Sequence, residues 1–482
     1  MSFVSAGDVQ GSRFCCDSRQ VSRGDIFVAL RGIASDGHDF IESAVASGAA
    51  GVVVERPNPR IAVPQCIVRN SRQAWAWIAM AQFDFPQKNL TLAGVTGTNG
   101  KTTVAWLLRT ILQECGHRSG LIGTIQYCDG RSTHPATLTT PDSPDLARLF
   151  RQMVTIGTTH CVMEVSSHAL VQERCSAFQL ATAAITNVTR DHFDYHGTFE
   201  NYVAAKAMIS KLLPPEQPLL LGTDDAGVRE VRSVLGDRPV LTFGFQETSD
   251  YQVRVTSSAV SGQDVSLRLQ GHEIQFRTPL VGRHNALNLL TAAALAEQMG
   301  VDPDRIRNGL QKITSIPGRM ESIDLGQDFL VLVDYAHTPD GITQVIATAR
   351  TLSKGRVIIA FGAGGDRDRE KRPLMAQAAS AADVVVVTSD NPRSESPTAI
   401  IDDICKGFSE HEFVHRINDR EEGIRTALKQ AGSGDVVLIT GRGHEATQQI
   451  GNRSISFDDR KVTRRVLKEI LANKTPQPGN KS

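Results

Sequence analysis

The residues with the clearest chemistry are consecutive: Gly97, Thr98, Asn99, Gly100, Lys101, Thr102 and Thr103. Glycines let backbone N–H groups wrap phosphate oxygens, a lysine reaches the terminal phosphates, and a following hydroxyl holds Mg²⁺. The stretch departs from the strict G-x-x-x-x-G-K-[ST] pattern, because Val95 occupies the first glycine's place and Gly94 lies one position early. The alternative is a Gly-rich strand–helix turn carrying a surface lysine.

Other reactive side chains recur at the ends of apolar runs. Glu164 closes His160–Glu164 and precedes Ser166, Ser167 and His168. An acid at the carboxyl end of a parallel strand is placed to hold a metal beside a phosphate loop; a helix cap or surface acid is the plainer alternative. Asp191, His192, Asp194 and His196 follow another run and read as metal ligands or as a polar turn. Arg319, in the turn Pro317–Glu321, can stabilise a moving phosphoryl group or pair with a surface acid. Lys206, read alone, is a solvated helix lysine, and Arg393 a surface turn residue.

The elements that must position these groups alternate between strand and helix. Leu90–Val95 reads as a short buried strand and Val104–Leu112 as a helix. An earlier α/β module spans residues 1–88, with strands Gly24–Leu30 and Gly51–Val54 and a linker at Phe83–Pro86. A central unit, residues 89–320, holds the loop, a helix from Phe199 to Leu213, a small antiparallel β insert between Val240 and Pro279, and a helix opened by Gly282–Asn288. The last unit, residues 321–482, carries parallel strands at Phe329–Asp334, Val357–Phe361, Val384–Val387 and Val436–Ile439. The polar loops after these strands are predicted to converge on one crevice.

Composition narrows the class. With 52 basic and 52 acidic residues the net charge is zero, so no nucleic-acid partner is indicated and anions must be held by local groups. Eight scattered cysteines form no C-x-x-C pair, which argues against a zinc site or disulfide framework and for a reducing cytoplasm. No apolar run reaches membrane-span length, Met1–Arg13 lacks a signal core, and the polar tail Asn473–Ser482 is expected to be disordered.

In order along the chain, Gly97–Thr103, Glu164–His168, Asp191–His192, His284–Asn285, Gly318–Arg319 and Asp334–His337 resemble the motifs of the Mur ligases. These are ATP-dependent amino-acid ligases of peptidoglycan precursor synthesis. The first motif is shared with folylpolyglutamate synthases, but Asp17-Ser18-Arg19 and the N-terminal module favour the Mur ligases. The resemblance implies an α/β fold of three domains: a small one for the uridine diphosphate end of the substrate, a central P-loop domain, and a C-terminal Rossmann-like domain for the amino acid. It implies a monomer that uses ATP and Mg²⁺ to extend UDP-N-acetylmuramoyl-L-alanyl-D-glutamate through an acyl phosphate.

Residue by residue, it implies that Lys101 and Arg319 neutralise the moving phosphoryl, and that Thr102, Glu164 and His192 hold metal. Asn285 would meet adenine and Asp334 would contact ATP after domain closure. Lys206 would be carbamylated, an anion able to help hold a metal that an ammonium repels. Ser18, Thr139, Thr140, Ser166, Gln172 and Arg174 would contact the UDP-muramoyl dipeptide. An Asn often precedes the Thr-Thr pair in the family; this chain has Leu138, and a backbone group can replace that contact. Asp390, Asn391, Pro392 and Arg393 match the members that add meso-diaminopimelate, with Arg367, Gly441 and Glu445 as further contacts. The chemistry agrees: diaminopimelate has a distal carboxylate that lysine lacks, and an Arg fork pairs a carboxylate bidentately. A lysine-adding member and a non-catalytic nucleotide-binding scaffold are the alternatives.

Overall fold

The computed structural model describes residues 2–3, 11, 13–32, 35–409 and 414–474. Most of the segment Met1–Arg13 and the tail beyond residue 474 lie outside the described residues. Three sheets organise the chain. The first runs Ser2–Phe3, Gln65–Ile67, Gly51–Val54, Ile26–Val28, Phe14–Cys15, parallel except for its first strand.

The second sheet has the loop-bearing strand Thr91–Thr96 at its centre, between His160–Glu164 and Thr182–Ile185. Strands from Ser119–Ile122 across to Tyr251–Ala259 run parallel. The strands expected as an antiparallel insert pair antiparallel, Val253 with Leu267 and Val255 with Val265, and prolong this sheet. Val240–Gly244 and Tyr251–Ala259 pair in parallel, and Gly262–Arg268 and Glu273–Thr278 follow antiparallel, as do Gln126–Cys128 and Thr133–Pro135 at the other edge. Helices Lys101–Glu114 and Arg283–Gln298 cover one face through Leu107, Leu108, Ile111, Leu289 and Ala293, all fully buried. Helices Ser143–Thr155 and Phe199–Ala207 cover the other with Phe150 and Tyr202.

The third sheet runs Glu321–Ser322, Leu330–Asp334, Val436–Thr440, Val357–Phe361, Val384–Thr388, Val414–Ile417, parallel after its first strand. The run Val357–Phe361 is buried throughout, as expected of a strand with helices on both faces.

The helix Ser71–Ala81 does not appear among the expected elements. Asn70 caps it by accepting from the Arg72 and Gln73 N–H groups. Ala74 packs with Val28 and Val53 of the first sheet, whereas Ala76, Ala79 and Met80 join the core of the second. The helix therefore belongs to two cores, and Phe83–Pro86 follows it as a short turn with Asp84 and Phe85 left-handed.

Candidate active site

The phosphate loop leaves its strand at Gly97, with φ +149°; a Cβ there would lie 1.9 Å from the Thr186 hydroxyl, so only glycine fits. Lys101 begins the helix, and its ammonium donates to the Gly97 and Thr98 carbonyls at 2.8 and 2.9 Å. Burial lowers its pKa, with Glu164 and Asp191 opposing.

The Thr102 hydroxyl donates to Glu164 Oε2 at 2.9 Å and accepts from Arg319 Nη2 at 3.0 Å. Glu164 also accepts from Thr124, through its N–H at 2.8 Å and its hydroxyl at 2.9 Å. Thr124 was not among the expected site residues; the Gly123-Thr124 pair at the end of an apolar strand was the available signal. Arg319 also lies over the Tyr335 ring, 4.5 Å from its centroid.

A cavity of about 450 Å³ joins these groups. It is lined by Thr98–Thr103, Thr124, Thr139, Glu164, Asp191, His192, Asn285, Arg319 and the Asp334–His337 loop, so residues of the second and third sheets share it. Asn285 is buried, donating to the Val281 carbonyl at 2.8 Å. Both Asp334 oxygens accept backbone N–H groups, from Met320 and Ala336, each at 2.7 Å. Asp334 thus fixes the turn that aims Arg319.

The Asp191–His196 cluster divides. Asp191, buried, accepts from Lys371 Nζ at 3.1 Å; burial opposes its ionisation, yet Lys371, His192 and His337 hold its carboxyl well below the usual range. His196 Nε2 lies 2.9 Å from the Ser167 hydroxyl. His192 is left-handed, and burial pushes its pKa down to about 3. Lys371 lies 180 residues from Asp191, and nothing in the sequence links them. A second long-range bond joins Asn99 to Asp340 at 2.8 Å.

Lys206 is buried, which corrects its plain reading as a solvated lysine. Its ammonium sits 4.3 Å from the Tyr202 ring centroid, and it has no carboxylate partner among the described residues. Burial, then Lys101, lowers its pKa well below the ordinary lysine value.

Thr140, Ser166, Gln172 and Arg174 form one network. The Thr140 hydroxyl bridges the Glu164 carbonyl and the Ser166 N–H, Arg174 Nη1 donates to the Thr140 carbonyl at 2.6 Å, and Arg174 Nη2 donates to Gln172. The Thr139 hydroxyl is 3.1 Å from that of Thr124. The Leu138 N–H is committed to the Tyr127 hydroxyl at 2.9 Å. Ser18 does not line the cavity; it opens a 3-10 turn capped by Asp17, whose carboxyl Arg19 holds down at about 2.

Beyond the cavity lining, the last sheet brings together the loops carrying Arg367, Asp390–Arg393 and Gly441–Glu445. Asn391 donates to Glu445 Oε2 at 2.9 Å and accepts from Arg442 Nη1 at 2.8 Å. Burial, then Asp390, raises the Glu445 pKa. Arg393 and Arg367 bond only carbonyls, of Gly365 and Asp366, and pair with no carboxylate among the described residues. Burial, then Arg367, lowers the Arg393 pKa. Asp390, Glu445 and Asp366 oppose that lowering.

The comparisons with known proteins agree with this layout. The Mur ligase family catalytic domain matches residues 13–82, the Mur ligase middle domain residues 95–296, and the Mur ligase glutamate ligase domain residues 318–443. The chain belongs to the Mur ligase family. Among its curated Mur ligase relatives, the UDP-N-acetylmuramoyl-L-alanyl-D-glutamate–2,6-diaminopimelate ligase of Geobacillus kaustophilus is 44% identical over 461 residues, 94% of each chain. That of Aquifex aeolicus is 40% identical, over 94% of this chain and 92% of its own. A solved structure of a ligase of the same name aligns with a TM-score of 0.66 at 33% identity, over 96% and 95% of the two chains.

Proposed function

We propose that this Mur ligase is an ATP-dependent enzyme that joins meso-diaminopimelate to UDP-N-acetylmuramoyl-L-alanyl-D-glutamate, releasing ADP and phosphate in cytoplasmic peptidoglycan precursor synthesis. The observation that carries the amino-acid assignment is Arg393, half-buried and without a carboxylate partner, across from Glu445. The distal carboxylate of diaminopimelate satisfies that fork; lysine leaves it unpaired, which discriminates strongly.

The substrate's glutamyl carboxylate attacks the γ-phosphorus of ATP, breaking its bond to the β–γ bridging oxygen and giving an acyl phosphate and ADP. The amine of diaminopimelate then attacks the acyl carbon, phosphate departs, and the amine loses its proton. Positioning and charge neutralisation dominate such transfers. Lys101 and Arg319, converging on Thr102 and the loop, meet the charge on the transferring group. Asn285 faces adenine, and Asp334 holds the Arg319 turn. Thr139, Thr140, Ser166, Gln172 and Arg174 align the dipeptide, with Ser18 toward its uridine diphosphate end. Asp390, Asn391, Pro392, Arg393, Gly441, Glu445 and Arg367 hold the amino acid.

Among the described residues no three His, Cys, Asp or Glu side chains form a ready shell. That fits Mg²⁺, which takes one or two protein oxygens with phosphates and water. Thr102 and Glu164 fit one such ion, and His192 with Lys206 as a carbamate fits a second; there Mg²⁺ supplies charge neutralisation. Burial favours the uncharged Lys206 amine, and the uncharged amine is the form that reacts with CO₂.

The test measures phosphate release with the UDP-muramoyl dipeptide, ATP and Mg²⁺, adding meso-diaminopimelate or L-lysine. Turnover only with diaminopimelate is expected; equal turnover with L-lysine refutes the assignment.

A further inference from the structure

Behind the amino-acid loops lies a buried ion pair, Arg420 with Asp459, at 1% and 0% side-chain exposure. Arg420 Nε and Nη2 donate to the two Asp459 oxygens at 2.8 and 2.6 Å, a bidentate fork. The remaining donors reach backbone. Nη1 donates to the Ser389 carbonyl at 2.8 Å, and Nη2 also donates to the Thr440 carbonyl at 3.0 Å. Ser389 immediately precedes the Asp390–Arg393 loop, and Thr440 immediately precedes Gly441–Glu445. One guanidinium therefore ties the roots of both loops.

Helix stability does not account for it. Arg420 is the first residue of the helix Arg420–Gln430, where the dipole disfavours a cation. Asp459 opens the helix Asp459–Lys474, where an acid is favoured, so the pair also docks that helix beneath the loops. The spacing it sets is tight: a Cβ on Gly441 would lie 2.7 Å from Asp390 Oδ2. Arg420 also puts a positive charge behind Asp390 and Glu445, which otherwise repel each other.

We propose that Arg420 and Asp459 are positioning residues for amino-acid selection, holding the Asp390–Arg393 and Gly441–Glu445 loops at the separation that matches the incoming amino acid. This rests on the function proposed above, in which those loops hold meso-diaminopimelate. Arg420 touches no substrate; it acts through Ser389 and Thr440.

The experiment compares the full chain with Asp459→Asn and Arg420→Lys, the latter keeping the charge but losing the fork. Readouts are KM for meso-diaminopimelate, KM for ATP, kcat, the turnover ratio of diaminopimelate to L-lysine, and Tm. In metal sites, removing a partner that orients a ligating group costs about 10- to 100-fold in affinity or activity, and the same scale is expected for loops held by one guanidinium. The diaminopimelate KM is expected to rise by about that factor and the ratio to fall, with the ATP KM within about twofold of wild type. A lower Tm with unchanged amino-acid KM and ratio overturns the proposal. So does failure of both variants to fold, which assigns the pair to architecture alone. A wild-type chain that accepts L-lysine equally refutes the amino-acid assignment instead, so the two failures are distinguishable.

Discussion

Gly123 leaves room for the Glu164 carboxylate beside the phosphate loop. A Cβ at that position would stand 2.2 Å from Glu164 Oε1 and 3.0 Å from the Glu164 carboxyl carbon. Gly123 is not left-handed, so alanine strains no backbone. The cheapest relief is a swing of the Glu164 carboxylate by about 1 Å, since ordinary carbon contacts need roughly 3.4 Å or more. That swing breaks the Thr124 N–H bond, 2.8 Å long, to a carboxylate with 1% residue exposure. A hydrogen bond to a charged group contributes about 1.5–3 kcal/mol, or roughly 10- to 150-fold at 1.36 kcal/mol per decade. Gly123→Ala is therefore expected to lower Tm by the loss of that bond and, because the carboxylate swings away from Thr102, to raise the Mg²⁺ concentration needed for half-maximal phosphate release about 10-fold or more. The assay is coupled phosphate release across a Mg²⁺ titration, with thermal melting alongside. A folded variant whose Mg²⁺ dependence stays within about twofold of wild type would refute the role given to Glu164 and Thr124.

Lys206→Ala is expected to abolish nearly all activity, with partial recovery in millimolar-range short carboxylic acids; near-normal activity without them removes the carbamate. Arg393→Lys keeps the charge but loses the fork, so the diaminopimelate KM should rise about 10-fold or more while the ATP KM holds; an unchanged amino-acid KM counts against the assignment. His160 stacks on His117 with ring centroids 4.1 Å apart, and burial, then His117, lowers its pKa from 6.5 to about 4. The unfolded chain therefore binds the extra proton first, and stability is lost as pH falls from about 6.5 towards 4. His160→Gln should make the fall of Tm over that window shallower, with His192, His196 and His444 still contributing, and an unchanged slope rejects the argument.

Local chemistry was legible in the sequence, and long-range pairing was not. Gly97–Thr103 reads as a phosphate loop because strand, turn and helix signals are contiguous. Glu164 was found because an apolar run ended in an acid. Lys206 looked solvated because the sequence does not reveal that its face of the helix, with Tyr202 one turn away, is buried. Thr124, Lys371 and Arg420 escaped notice because each acts on a partner 39 to 180 residues away. The helix Ser71–Ala81 could have been found from Asn70 followed by Ala74 and Ile78 at helical spacing. Alternation of Val253, Val255, Val265 and Leu267 announced the antiparallel strands, but a half-buried pattern does not say which sheet they join.

The contacts across the cavity bear on how the site must work. Asn99 with Asp340, Thr102 with Arg319, Asp191 with Lys371, and Arg190 with Asp368 each join the phosphate-loop sheet to residues 319–371. All four are polar, so each can be exchanged for water when the two sides part. An apolar seam of equal area would resist separation far more, because hydrophobic burial grows with area and needs no alignment. An acyl phosphate must be shielded from water while it waits for the amine, yet ADP, phosphate and a bulky nucleotide-linked product must leave afterwards. A closed state held by aligned polar bonds meets both demands. Arg319 meets Thr102 and Lys371 meets Asp191 across this boundary, so the groups proposed to neutralise charge and to brace His192 come together where the two sides join.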